Sequence, residues 1–109
     1  MFYIEKQIPY LDNLQVKYQT YHTISQARID YINREIEINI ASFETFDDLL
    51  QGNNRSISGL LFNYKDINRT LPIDYISLYL LTQIEDNVFF GCEVKEINNN
   101  IDSDLIKDL

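Results

Sequence analysis

Ala27-Arg28-Ile29-Asp30-Tyr31-Ile32-Asn33-Arg34-Glu35-Ile36-Glu37-Ile38-Asn39-Ile40-Ala41-Ser42-Phe43 is the stretch from which the fold is read. Ala27, Ile29 and Tyr31 alternate with Arg28 and Asp30, and Ile36, Ile38 and Ile40 alternate with Glu35, Glu37 and Asn39. A period of two marks strands with one buried face, because successive side chains leave a strand on opposite sides. Asn33-Arg34 between the two runs predicts a β-hairpin, since Asn tolerates the positive φ of a tight turn. That turn sets Tyr31 opposite Ile36, Ile29 opposite Ile38, Ala27 opposite Ile40 and Ile24 opposite Phe43, all on one face. On the other face it sets Asp30 across from Glu37, a like-charge pair that Arg28 has to screen diagonally.

Working outward, Phe2-Tyr3-Ile4 and Ile8-Pro9-Tyr10 predict an N-terminal edge strand, with Val16, Tyr18 and Tyr21 leading toward the hairpin in imperfect alternation. After the hairpin, Thr45 with Asp48 three residues on forms a capping pattern, Phe46, Leu49 and Leu50 form one stripe, and Gly52 is a stop. Ile57 to Tyr64 is a short strand that Gly59 weakens or in which it marks a bulge. Pro72 at a first helical position, Asp74 in the first turn and apolar Ile73, Ile76, Leu80 and Ile84 predict the longer helix. Leu78, Tyr79 and Leu81 widen its apolar surface, so it is expected to be sandwiched between layers or covered by another subunit. Val88 to Val94 is a final strand or packed loop. The fold class is therefore α+β, an antiparallel sheet with a central hairpin (about 24–43), a short helix (about 45–51) and a longer helix (about 72–85) packed on it. Residues 1–97 form one domain, and 98–109 a polar tail with Leu105, Ile106 and Leu109 at helical spacing, an interaction segment.

A chain of 109 residues has room for one core, and 45% hydrophobic content fills it without disulfide or metal staples. Nine basic against 17 acidic residues give a net charge of −8, which repels phosphate backbones and anionic lipid heads and so argues against direct nucleic-acid or membrane binding. The single cysteine, Cys92, forms no intramolecular disulfide, fitting a reducing compartment. No N-terminal leader pattern is present, and the apolar-rich Ile73 to Ile84 stretch is too short and too interrupted to span a bilayer.

Candidate chemistry is sparse. His22 is the one histidine and has no Ser, Cys or acid partner at recognisable motif spacing. Cys92 follows Phe89-Phe90-Gly91, the setting of a small buried hydrophobe. Asn98 to Asp104 carries oxygen ligands at alternate positions, but Ser103 and Leu109 stand where a calcium loop needs Gly and Glu. No glycine-rich loop cradles a nucleotide. The reading is therefore non-enzymatic, with no catalytic, cofactor-binding or metal residue and no cofactor. Eight tyrosines, by contrast, are more than so small a core holds, and tyrosine suits interfaces because it joins apolar area to a polar tip. Tyr3, Tyr10, Tyr18, Tyr21 and Tyr79, with Leu105, Ile106 and Leu109 of the tail, are the candidate interface residues.

The order of the Ala27 to Phe43 hairpin, the Glu44 to Gly52 helix, the Leu60 to Tyr64 strand, the Pro72-led helix and Phe89-Phe90-Gly91-Cys92-Glu93-Val94 resembles small virion proteins of tailed bacteriophages, of the tail, neck or baseplate type. The resemblance covers about two thirds of the chain and transfers no functional residue. It implies a structural subunit of a multi-subunit assembly, with other protein subunits as partners, copies of itself or neighbouring virion proteins, located in the virion and in the host cytoplasm during assembly. The alternative is a small acidic inhibitor that binds a host nucleic-acid-processing enzyme by placing carboxylates where phosphates would sit.

Overall fold

The computed structural model describes residues 1–67 and 70–97. Strands β1 (Phe2–Asp12), β2 (Gln15–Asp30), β3 (Glu35–Phe43), β4 (Ser56–Asn63) and β5 (Val94–Glu96) form one antiparallel sheet in the order β4-β3-β2-β1-β5. Helix α1 (Phe46–Gln51) follows β3 and helix α2 (Ile73–Gln83) follows β4, so the expected α+β class holds. The expected tail at 98–109 lies outside the described residues.

The hairpin is present as β2–β3, but its register differs by two residues from the expected one. Asp30 pairs with Glu35, Ile29 with Ile36, Arg28 with Glu37 and Ala27 with Ile38. The connection is therefore Tyr31 to Arg34 and not Asn33-Arg34 alone. The Asp30 carboxylate closes it, accepting the backbone N–H groups of Ile32 and Asn33 at 3.0 Å and the Asn33 side-chain amide at 2.8 Å. Arg34 at φ 54° turns the chain into β3. A shift of two keeps every side chain on its face, and it places Arg28 instead of Asp30 opposite Glu37. Before Ala27 a bulge at Ser25 absorbs one residue, so Ile24 meets Ile40 and not Phe43, and the Ser25 hydroxyl donates to the Asn39 carbonyl at 3.1 Å.

The N-terminal segment also departs from expectation. Residues 2–30 form a second hairpin, β1–β2, whose β2 runs 16 residues through both hairpins. β5 pairs with Phe2 to Ile4, so β1 is an open edge only beyond Ile4, and the bulge between Glu5 and Ile8 and Pro9 both sit in that open part.

Two cores flank the sheet. On the front face Ile36, Ile38 and Ile40 of β3 and Ile4 of β1 meet Leu78 and Leu81 of α2 and Phe89, all nearly devoid of water contact. On the back face Ala41, Phe43, Leu49 of α1 and Ile97 pack together, with Tyr3 and Tyr21 against them. Helix α1 is capped as expected, Thr45 Oγ1 accepting from the Asp48 N–H at 3.1 Å and Gly52 adopting φ 72°. Pro72 is the N-cap of α2 and not its first residue, and the Asp74 carboxylate accepts the Phe2 N–H at 3.2 Å, which fastens the helix to β1. The helix is not sandwiched: it buries Ile76, Leu78 and Leu81 and leaves Ile73 and Tyr79 exposed.

Between α2 and β5 the chain turns instead of extending from Val88, because Asn87 reorganises it. The Asn87 side-chain amide donates to the carbonyls of Leu81 and Ile84, and its oxygen accepts the Phe89 N–H at 2.8 Å. One side chain thus satisfies the end of α2 and aims Phe89 into the front core. Asn87→Ala removes three hydrogen bonds; its expected effect is a loss of about 1–3 kcal/mol of unfolding free energy in urea titrations.

Candidate functional site

Where β3 ends, the front face and the Asp86 to Phe89 turn enclose a cleft of about 400 Å³ whose polar lining includes Gln19, His22, Ser42, Ser56 and Ser58. His22 and Ser42 are cross-strand partners, and the buried imidazole, only 1% exposed, packs edge-on against Phe89 with ring centroids 5.0 Å apart. His22 Nε2 lies 2.8 Å from the Lys6 carbonyl, which can only accept, so Nε2 carries the proton. Nδ1 then accepts from the Ser42 hydroxyl at 2.7 Å. Burial holds the imidazole below its ordinary value of 6.5, so the ring is neutral at pH 7. Sequence spacing did not signal this pair; a register, not a motif, brings it together. Among the described residues every buried side-chain nitrogen and oxygen is partnered, which is what burial of two facing polar groups requires.

A different kind of surface stands at the far end of the β1–β2 hairpin. From Ile8 to Gln19 the two strands pair only with each other, since β3 reaches β2 no further than Tyr21 and β5 reaches β1 no further than Ile4. The result is a two-stranded arm beyond the rest of the sheet. The pairs Tyr10–Lys17 and Asp12–Gln15 share one face of this arm, and the pairs Pro9–Tyr18 and Leu11–Val16 share the other. The first face is polar and tied down: the Tyr10 hydroxyl donates to Glu44, and Lys17 pairs with Asp12 at 2.9 Å. The second face is apolar and bare, with Leu11 75% and Val16 58% exposed. At the tip Asn13 and Leu14 both hold positive φ, 50° and 66°, the geometry of a two-residue turn in which glycine is favoured at the second position. Leu14 occupies that position while 98% exposed.

The remaining candidate interface residues are dispersed. Tyr18 belongs to the apolar face of the arm. Tyr3 and Tyr21 pack with Phe46 on the back face, ring centroids 5.6 and 5.5 Å from it. Tyr79 lies on the outer side of α2, stacked with Tyr75 at 6.2 Å. Leu105, Ile106 and Leu109, and the Asn98 to Asp104 stretch, lie outside the described residues. Alternation names two faces of a strand without saying which one another layer covers, so it does not single out Leu11 and Val16, and Leu14 lies in the turn between the strands, where alternation does not apply. Among the described residues no helix is long and apolar enough to cross a membrane, and no group of three or more His, Cys, Asp and Glu is placed to hold a metal. No family model, curated protein or solved structure matches the chain.

Two outcomes follow from this geometry. The folded His22 titrates below the unfolded one, so its contribution is full above pH 6.5 and is lost as pH falls from there through the folded value. Thermal melts between neutral pH and pH 5 should show stability falling, and His22→Gln should flatten that segment of the profile. A leucine in the left-handed region costs roughly 1–2 kcal/mol, of which the entropy of an unfolded glycine returns about half. Leu14→Gly should therefore raise the unfolding free energy by about 0.5–1 kcal/mol in urea titrations.

Proposed function

We propose that the chain is a non-enzymatic assembly subunit that contacts neighbouring proteins through the β1–β2 arm, in the setting its resemblance implies, the tail, neck or baseplate of a bacteriophage virion. The observation that carries this reading is Leu14. It sits at φ 66°, where its side chain weakens the turn, and at 98% exposure it gains nothing from its own chain in return. Backbone strain of this kind clusters at segments that bind or switch. Leu11, Val16 and Tyr18 extend the same apolar surface along the arm, and a rigid hairpin with one bare apolar face is suited to insertion between or along neighbouring subunits.

The acidic-inhibitor alternative asks for carboxylates gathered on one face. Here Glu5 is paired with Lys95 at 2.8 Å and Asp12 with Lys17 at 2.9 Å, Glu37 stands opposite Arg28, and Asp47 and Asp48 belong to the first turn of α1. Within the described residues, the one group gathered on a single face, Asp30, Glu35 and Glu37, has Arg28 among it, and this interleaving favours the assembly reading over mimicry of a phosphate backbone.

The test is composition. Particles purified from the genome that encodes this chain should contain it in a fixed ratio to the other structural proteins by quantitative mass spectrometry. The doubly substituted Leu11→Gln, Val16→Gln chain, folded by circular dichroism, should be excluded from them. A chain absent from the particles overturns the reading, and recovery instead on a nucleic-acid-processing enzyme selects the inhibitor.

A further inference from the structure

The two edges of the sheet are treated very differently. The β1/β5 edge carries several features that discourage pairing: β5 is only three residues long, the Lys95–Glu5 ion pair lies across it, and the open part of β1 holds a bulge and Pro9. The β4 edge carries none of them. Ser56-Ile57-Ser58-Gly59-Leu60-Leu61-Phe62-Asn63 is eight residues long, pairs without interruption along β3, and contains no charge, no proline and no bulge. No described residue pairs along its outer side. Its back-face side chains, Ile57 at 52% and Leu61 at 63% exposure, stand uncovered beside that edge. An open, uncharged strand of this length is a template for another strand.

We infer that β4 pairs antiparallel with β4 of a second copy of this chain, about a two-fold axis at Gly59, joining two five-stranded sheets into one. Only residues whose N–H and C=O groups point outward can bond across the seam, so the register changes in steps of two and odd-numbered residues face odd-numbered ones. With Gly59 facing Gly59 of the second copy, Ile57 faces Leu61 twice, once on each side of the axis. The two bare apolar side chains then cover each other, and the position between the pairs has no side chain. The same register sets Leu60 against Ser58 and Phe62 against Ser56 on the front face. Self-complementarity of this kind is what a two-fold contact demands. A chain of net charge −8 approaches its own copy best along a strand that itself carries no charge, and β4 is one, with Glu35 and Glu37 a strand further from the seam.

This inference deepens the assembly reading by naming the partner of one edge. Its test uses the chain alone, so a failure here leaves the arm and the particle composition to their own experiment. Sedimentation equilibrium of the full chain over a concentration series should show a monomer–dimer equilibrium that tightens as salt rises, because salt screens the repulsion of two acidic copies. Ile57→Lys with Leu61→Lys sets like charges opposite each other and should weaken the dimer at least about ten-fold. Ile57→Lys with Leu61→Glu sets opposite charges across the same axis and should restore it. In the unaltered chain, alternate amides of Ser56 to Asn63 should become protected from hydrogen exchange as concentration rises, a readout that stands even where a variant fails to fold. A monomer at all concentrations, a dimer indifferent to the two lysines, or a charge-swapped variant that stays monomeric overturns the proposal. So does protection of β4 that appears only when another component of an assembly is added.

Discussion

Ile36, Ile38 and Ile40 project from one side of a strand that has neighbours on both of its edges, and they are withdrawn almost completely from water. Each such side chain contributes about 1.5–3 kcal/mol when buried and withholds it when exposed. Much of the front half of the molecule follows from covering them. Helix α2 lies over them with Leu78 and Leu81, Asp74 fastens its start to the N–H of Phe2, and Asn87 turns the chain at its end so that Phe89 closes the remaining gap. The helix itself buries two polar residues, Ser77 and Thr82, and both return their hydroxyls to the helix backbone, at Ile73 and Tyr79.

The opposite side of β3 changes character along its length. Glu35 and Glu37 lie toward the Tyr31 to Arg34 loop, where no helix covers them, while Ala41 and Phe43 lie under α1 with Leu49. Between the two cores the polar residues His22, Thr23 and Ser42 are buried, and each has a partner: His22 and Ser42 bond to each other, and the Thr23 hydroxyl donates to the Phe2 carbonyl at 2.7 Å. Buried polar groups satisfied this way fix the registers of β1, β2 and β3 against one another, because a slip in any of them leaves a buried group unpaired.

What the core requires is met within one chain, and the surfaces left over are of two kinds. The arm sets a tied-down polar face against a bare apolar one, with a leucine where glycine would serve the fold better. The sheet has one edge shielded by ion pair, bulge and proline, and one uncharged edge along which no described residue pairs. Both asymmetries are at the expense of the isolated monomer. They are the ground for reading this molecule as a component that meets other proteins.

How much of this was legible in the sequence differs by element. Period-two alternation found β3 and the end of β2 because one buried face imposes it, and the Thr45–Asp48 and Gly52 signals found α1 because capping is a local hydrogen-bonding requirement. The hairpin faces survived a two-residue register error, since such a shift leaves every side chain on its side; the loop itself was decided by the Asp30 carboxylate reaching Ile32 and Asn33. The pairing of β1 with β5, the meeting of His22 with Ser42 and the turn made by Asn87 join residues far apart in the chain, and no local pattern records them. Propensity and periodicity act over a few neighbours, and so they mark in the sequence which residues need burial and where helices can begin and stop. Which apolar faces another layer covers, and so which of them, on the arm and beside β4, stay bare, is settled by the packing of distant elements, to which no local pattern refers.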